Sequence, residues 1–153
     1  FTFEIFFAKG NKIETKIHNS EKNSFDNIIY KNKNILLVED NKINQMITLK
    51  ILSKKAINCK IIDNGEEAIE DLKNNTYDLV LMDVHLPGIN GTEATEIIRT
   101  FDKKTPIIAL TAISLNENRE MLLSYGMNEV ITKPFVPEDF YTVLASYLTK
   151  TEE

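Results

Sequence analysis

The chain has 153 residues and a net charge of −5, with 42% hydrophobic and 27% charged residues, an ordinary composition for one globular domain with a core of its own and a short appendage. It holds no apolar run long enough to span a membrane, no signal-peptide pattern, and a single cysteine, Cys59, which excludes an internal disulfide and a cysteine-based metal site. Charge is uneven: residues 1–34 hold six Lys against four acids, net +2, and residues 35–153 hold twelve basic against nineteen acidic residues, net −7. An acidic domain with no basic stripe argues against nucleic-acid binding.

In chain order, Phe1-Thr2-Phe3-Glu4-Ile5-Phe6-Phe7 alternates and is aromatic-rich, a strand pattern expected over residues 1–8. Residues 9–33 are rich in Lys, Asn, Ser and Glu and read as a linker, with Phe25, Ile28, Ile29 and Tyr30 as an apolar cluster able to dock or to form a helical turn. From Ile35 the pattern becomes regular. Ile35-Leu36-Leu37-Val38 is an expected strand ending in Glu39-Asp40, and Asp40 or Asn41 caps a helix running to about Lys55. Cys59 to Ile62 is a second strand, with Cys59 acting as a small hydrophobe. Asn64-Gly65 leads into a helix over Glu66–Lys73. Asp78 to Met82 is a third strand, followed by Asp83 and a Pro-Gly break, then a helix from Gly91 to Phe101. Pro106 to Leu110 is a fourth strand ending in Thr111-Ala112. Ser114 is the expected cap of a helix to Ser124, stopped by Gly126. Glu129 to Thr132 is a fifth strand ending in Lys133-Pro134, and Pro137 opens a last helix with the stripe Phe140, Val143, Leu144, Tyr147 and Leu148.

Strand then helix, five times over, implies a parallel sheet covered by helices on both faces. All carboxyl ends of such a sheet lie on one edge, where ligands collect. Glu39, Asp40, Asp83, Thr111 and Lys133 would then converge. Three close carboxylates repel each other, and a hard divalent cation relieves the repulsion with one or two of them. That leaves Asp83 as a nucleophile toward phosphorus, with Lys133, Thr111 and the metal to neutralise and hold the phosphoryl oxygens. An ion-pair network without chemistry is the structural alternative.

Four stretches resemble the response-regulator receiver domain, the phospho-acceptor module of two-component and phosphorelay signalling: Ile35-Leu36-Leu37-Val38-Glu39-Asp40-Asn41, Leu81-Met82-Asp83-Val84-His85-Leu86-Pro87-Gly88-Ile89-Asn90-Gly91, Pro106-Ile107-Ile108-Ala109-Leu110-Thr111-Ala112 and Thr132-Lys133-Pro134-Phe135. The resemblance covers residues 34–150 and leaves 151–153 as a tail. It implies an α/β, flavodoxin-like (βα)5 fold, a doubly wound five-stranded parallel sheet of order 2-1-3-4-5; the chemotaxis receiver is the standard example of that order. It also implies that Asp83 is the phospho-acceptor, that Mg²⁺ (or Mn²⁺) is held by Asp40, Asp83, Glu39 and the backbone carbonyl of His85, and that Thr111 and Lys133 contact the phosphoryl group. The Lys133–Pro134 bond is expected to be cis. The module is then no enzyme acting on a separate substrate; it takes a phosphoryl group from a phosphohistidine and passes it to a phosphotransfer histidine or to water. A phosphorylation-independent interaction module is the alternative.

One position departs from the family: the Tyr or Phe expected three residues before the lysine is Val130. On the first helix, Asn44, Ile47, Thr48 and Ile51 share one face at ~100° per residue. If that face packs on the sheet, Ile43, Met46 and Leu49 form an exposed apolar patch beside Asp83, a docking surface for the helical bundle that carries the donor histidine or for a histidine phosphotransfer protein. His85 reads as an exposed loop side chain whose backbone matters, and His18 as a solvated residue. The strand-like opening resembles the last strand of a histidine-kinase ATP-binding domain. The expected parent is therefore a hybrid sensor histidine kinase, itself membrane-anchored or not, with this domain as its C-terminal receiver in the cytoplasm. A stand-alone receiver is the other expected parent.

Overall fold

The computed structural model describes residues 28–112 and 119–149. The expected strand at residues 1–8, most of the 9–33 segment, His18, the Ser114 cap and the 151–153 tail lie outside them. Within them the chain alternates β1 (Asn34–Val38), α1 (Lys42–Ser53), β2 (Asn58–Ile62), α2 (Gly65–Asn74), β3 (Leu79–Asp83), α3 (Gly91–Ile98), β4 (Ile107–Thr111), α4 (Arg119–Ser124), β5 (Glu129–Thr132) and α5 (Pro137–Leu148). All five strands pair in parallel, in the expected order β2-β1-β3-β4-β5.

Strand residues alternate between the two faces of the sheet, and each face has its own core. Leu36, Val38, Val80, Met82, Ile107 and Ala109 pack with Ala68, Leu72, Ala94, Ile98 and Leu122 of α2, α3 and α4. Ile35, Leu37, Leu79, Leu81, Ile108 and Leu110 pack with Ile51, Leu52, Phe140, Leu144 and Leu148 of α1 and α5. Every residue of β3 and β4 is buried, which explains their unbroken apolar runs. At about 1.5–3 kcal/mol per fully buried large side chain, these two layers supply most of the favourable burial.

Asparagine starts three of the helices. Asn41 accepts the N–H groups of Ile43 and Asn44 at the head of α1, Asn64 that of Glu67 in α2, and Asn90 that of Glu93 in α3. Each such cap is worth about 1 kcal/mol. Because Asn41 takes the cap of α1, Asp40 is not spent on it. Pro137 occupies the first turn of α5, where its missing N–H costs nothing, and Gly126, at φ 110°, follows the end of α4. Helix α3 ends at Ile98, short of the expected Phe101: past it the N–H groups of Thr100 and Phe101 donate one residue short of the helical partner, to the Ile97 and Ile98 carbonyls, and the Arg99 side chain grips the carbonyls of Gly126 and Asp102.

Helix α1 is turned differently from expectation. Its buried residues are Gln45, Thr48, Ile51 and Leu52, while Ile47 is exposed and Asn44 half-exposed. The buried face is rotated by roughly 60° from the predicted one, at 100° per residue. The cause is a buried glutamine, which apolar periodicity counts as surface and which finds a hydrogen-bond partner in the Glu39 carbonyl.

Ahead of β1, residues 28–30 are helical and Tyr30 is buried in the α1/α5 core. Its hydroxyl donates to the Tyr141 carbonyl (3.0 Å), and the Tyr141 hydroxyl donates to the Ile51 carbonyl (2.6 Å) at the end of α1. Ile28, by contrast, is exposed. No helix among the described residues is long and apolar enough to cross a membrane.

Candidate functional site

Register brings the site together. Val38 pairs with Met82, so Glu39 follows β1 level with Asp83 at the end of β3. Asp83 pairs with Leu110, and Thr111 with Thr132, so Thr111 and Lys133 close the neighbouring strand ends. Alternation adds direction. Glu39, Asp83 and Lys133 share the parity of Leu37, Leu81 and Ile131, which face α1 and α5.

One oxygen each of Glu39, Asp40 and Asp83 lies within 4.8 Å of the others. Glu39 and Asp83 are buried and Asp40 is exposed, so the cluster sits at the mouth of the sheet edge. The Lys133 ammonium lies 2.9 Å from Glu39 Oε1 and 3.3 Å from Asp83 Oδ2. Lys133 therefore faces the two buried carboxylates, and Asp40 adds a third acid to the cluster. Glu39 Oε2 is buried with no hydrogen-bond partner among the described residues. Burial first, then the adjacent Asp83 carboxylate, push the Glu39 carboxyl up to about 7 against the opposing pull of Lys133. This is a site with surplus negative charge and an unused acceptor, the donor set a hard cation takes.

The flanking backbone is fitted to Asp83. The His85 N–H donates to Asp83 Oδ1 at 3.0 Å, while the His85 side chain is exposed. Gly91 opens α3 against the Asp83 carbonyl: a Cβ there would stand 2.2 Å from that oxygen, so no other residue fits without moving the acceptor strand. Thr111 is buried, and its carbonyl accepts the Lys133 N–H at 2.8 Å. The Lys133–Pro134 peptide bond is cis. Glu66, from the first turn of α2, accepts the Ile89 N–H at 3.2 Å and ties the loop after β3 to its neighbour.

The predicted residues are thus divided. Glu39, Asp40 and Asp83 are in mutual reach, Lys133 reaches Glu39 and Asp83, Thr111 is joined to Lys133 through backbone, and His85 reaches Asp83 through its N–H. Ile43 and Met46 are 68% and 70% exposed and Leu49 is 40% exposed, with Ile47 added to the same apolar surface by the turn of α1. Val130 is buried in the same core cluster as Leu122 and Met127. Cys59 is half-buried, and burial pushes its thiol up to about 11, as suits an inert strand residue. Sequence reasoning missed Gln45, whose side chain donates to the Glu39 carbonyl at 2.6 Å, and the contribution of Glu66. A polar residue at a position where α1 must face the sheet was the available signal for Gln45.

The response regulator receiver domain profile matches residues 35–145. The chain belongs to that family. Transcription factor SKN7 of Saccharomyces cerevisiae is 40% identical to this receiver over 114 residues, 74% of this chain and 18% of SKN7. Hybrid signal transduction histidine kinase G of Dictyostelium discoideum is 37% identical over 118 residues, 74% of this chain and 3% of the kinase. The chain thus spans a small part of the relatives it matches. Among solved structures, the receiver domain of sensor histidine kinase PA1611 from Pseudomonas aeruginosa, with magnesium coordinated in its active-site cleft, superposes at TM-score 0.72 with 35% identity, covering 77% of this chain and 98% of that one. A chain in the co-crystal structure of the Saccharomyces cerevisiae phosphotransfer protein Ypd1 with the receiver domain of Ssk1 superposes at TM-score 0.74 with 31% identity, covering 80% and 92%. The receiver is therefore a module of two-component phosphorelay signal transduction, and its flavodoxin-like fold is that of its neighbours.

Proposed function

We propose that this receiver accepts a phosphoryl group on Asp83 from a phosphohistidine and hands it to a second histidine or to water. The observation that carries the proposal is the charge arrangement: Glu39, Asp40 and Asp83 within 4.8 Å, and Lys133 3.3 Å from Asp83. Mg²⁺, or Mn²⁺, fits this set. Glu39, Asp40 and Asp83 would hold it together with the His85 carbonyl, and the buried, unpartnered Glu39 Oε2 is an acceptor in want of a cation. Bound there, the ion supplies charge neutralisation to the transferring phosphoryl group. Asp83 supplies the nucleophile: its carboxylate oxygen forms a bond to phosphorus as the phosphorus–nitrogen bond to the donor imidazole breaks, and the imidazole leaves with that electron pair. Lys133 balances charge on the phosphoryl oxygens, and Thr111 donates a hydrogen bond to one of them. Val130 removes the rotating aromatic from the readout, which leaves the Thr111 side of the site, or onward transfer itself, to carry the signal.

For partners, the apolar surface of Ile43, Met46 and Leu49 fits the helical bundle of a histidine kinase or a phosphotransfer protein. The Ypd1–Ssk1 complex, in which such a protein is joined to a similar receiver, supports the choice. The kinases among the relatives support a hybrid histidine kinase as parent.

The test is intact-protein mass after incubation with acetyl phosphate, with and without Mg²⁺, for the wild type and Asp83→Asn. One phosphoryl adduct that requires both the ion and Asp83 is expected. An adduct that survives in Asp83→Asn sinks the assignment of Asp83, and no adduct under any condition leaves an interaction module. For docking, Met46→Glu is expected to slow transfer from a phosphorylated protein donor at least about tenfold, the cost of one poorly placed charge at an apolar contact. Labelling by acetyl phosphate should be untouched, and equal loss in both assays removes the surface from the proposal.

A further inference from the structure

We infer that Gln45 is a positioning residue that sets the cation affinity of the acidic pair. The inference rests on the reading of Glu39, Asp40 and Asp83 as a cation site. Gln45 is 93% removed from solvent on the sheet-facing side of α1, among Thr48, Ile51 and Leu52. Its side-chain Nε2 donates to the Glu39 carbonyl at 2.6 Å, and its backbone N–H donates to the Asn41 carbonyl at 2.9 Å as an ordinary helical bond. One residue thereby grips both ends of the Glu39-Asp40-Asn41 turn and brackets Asp40 between them.

The mechanical consequence follows from the peptide plane. The Glu39 carbonyl and the Asp40 N–H belong to one rigid amide, so holding that oxygen fixes the plane and with it the directions from which both side chains depart. The other end of Glu39 is held by its N–H on the Ile62 carbonyl at 3.0 Å, an extension of the β1–β2 ladder. Among the described residues Asp40 has no comparable anchor of its own: it is exposed, and Asn41 has taken the helix cap. Without Gln45 the Glu39–Asp40 peptide is free to turn, and the two carboxylates must be reordered when a cation arrives. A buried glutamine is costly unless its amide is used, and here its donor is spent on the backbone that carries the acids. The same helix turns Ile43, Met46 and Leu49 outward, so the contact surface and the grip on the acids are opposite sides of one element.

The experiment is a Mn²⁺ titration of the full chain by electron paramagnetic resonance, in parallel with acetyl phosphate labelling and urea unfolding. The variants are Gln45→Met, similar in length and volume but without a donor, and Thr48→Val, a control on the next buried polar position of the same face. Gln45→Met is expected to weaken Mn²⁺ binding about tenfold, the usual scale for an outer partner of a ligand. Its labelling should shift to higher Mg²⁺ and recover, within about twofold, once the ion saturates. Thr48→Val should keep wild-type affinity. Wild-type Mn²⁺ affinity in Gln45→Met, or an equal loss in Thr48→Val, overturns the inference and leaves the cation site standing. A wild type that takes up no Mn²⁺ overturns both. Should Gln45→Met fail to fold, the wild-type Gln45 side-chain amide decides by NMR. Slow proton exchange and a shift that follows Mg²⁺ saturation are expected, and free exchange with no shift rejects the inference.

Discussion

Between Leu79 and Met82, strand β3 buries only hydrocarbon and a thioether; one residue later the same strand buries a carboxylate. The middle of the sheet and its carboxyl end are held by the same parallel ladder, yet they store free energy with opposite sign. In the middle, each large side chain removed from water stabilises the fold by about 1.5–3 kcal/mol. At the end, Glu39 and Asp83 are desolvated beside each other with one lysine between them, an arrangement whose desolvation cost is not repaid by Coulomb attraction alone. The difference teaches that the core is built to carry a site that is electrostatically unfinished. On the proposed function, a cation and a phosphoryl group would complete it.

The comparison breaks first at Asp83. Asp83→Asn should abolish phosphoryl labelling outright while the protein keeps its folded circular dichroism and a cooperative urea transition. Next comes the core. Phe140→Ala, which empties a buried site under α5, should cost about 3–5 kcal/mol in urea unfolding, and Leu81→Ala about 2–5 kcal/mol, with labelling per folded molecule retained. Loss of labelling without loss of stability in either would contradict a division between support and site.

Acid dependence sets the carboxyl end of the sheet apart from an ordinary loop acid by sign. The Glu39 carboxyl is raised from 4.5 to about 7, so the metal-free native state holds a proton there that the unfolded chain releases first. Its contribution to stability is present below about 4.5 and is lost as pH rises toward 7. The stability difference between wild type and Glu39→Gln should therefore fall across that interval without Mg²⁺. Asp102, away from the site, behaves in reverse. Burial pushes its carboxyl up, but the Thr105 hydroxyl and the N–H groups of Thr105 and Lys104 outweigh it and hold it below its ordinary 3.8. Its contribution is present above that value and is lost as pH falls through the lowered one, which comparison with Asp102→Asn in acid would register. The smallest expected effect is that of Tyr30→Phe. It removes the hydroxyl bond to the Tyr141 carbonyl but keeps the buried ring, and should cost about 1 kcal/mol in urea unfolding with no change in labelling.

Much of this protein was legible before any coordinates. The apolar runs of β1, β3 and β4 are unbroken because both faces of those strands are covered, and that is why their ends could be located to within a residue or two. Asp83, Glu39, Asp40, Thr111 and Lys133 were legible for a related reason: each follows a strand, and parallel strands end on one edge. Strand order entered only through family resemblance, since nothing in five similar βα units says which strand neighbours which. The rotation of α1 was misjudged because its hydrophobic residues lie nearly all round it, and a glutamine with a hidden partner scores as surface.

The sequence by itself determined the alternation of strands and helices, the acids at the strand ends and the proline at the start of α5, because each of these is a local property of a few neighbouring residues. Only the tertiary structure decided the rest. The pairing of Val38 with Met82 sets Glu39 beside Asp83, Lys133 reaches both acids from β5, Tyr30 folds back onto α5, and Gln45 closes on the Glu39 carbonyl. The physical reason is that a hydrogen bond or an ion pair depends on a few ångströms of distance between residues up to 111 positions apart, and only the packed sheet supplies that distance.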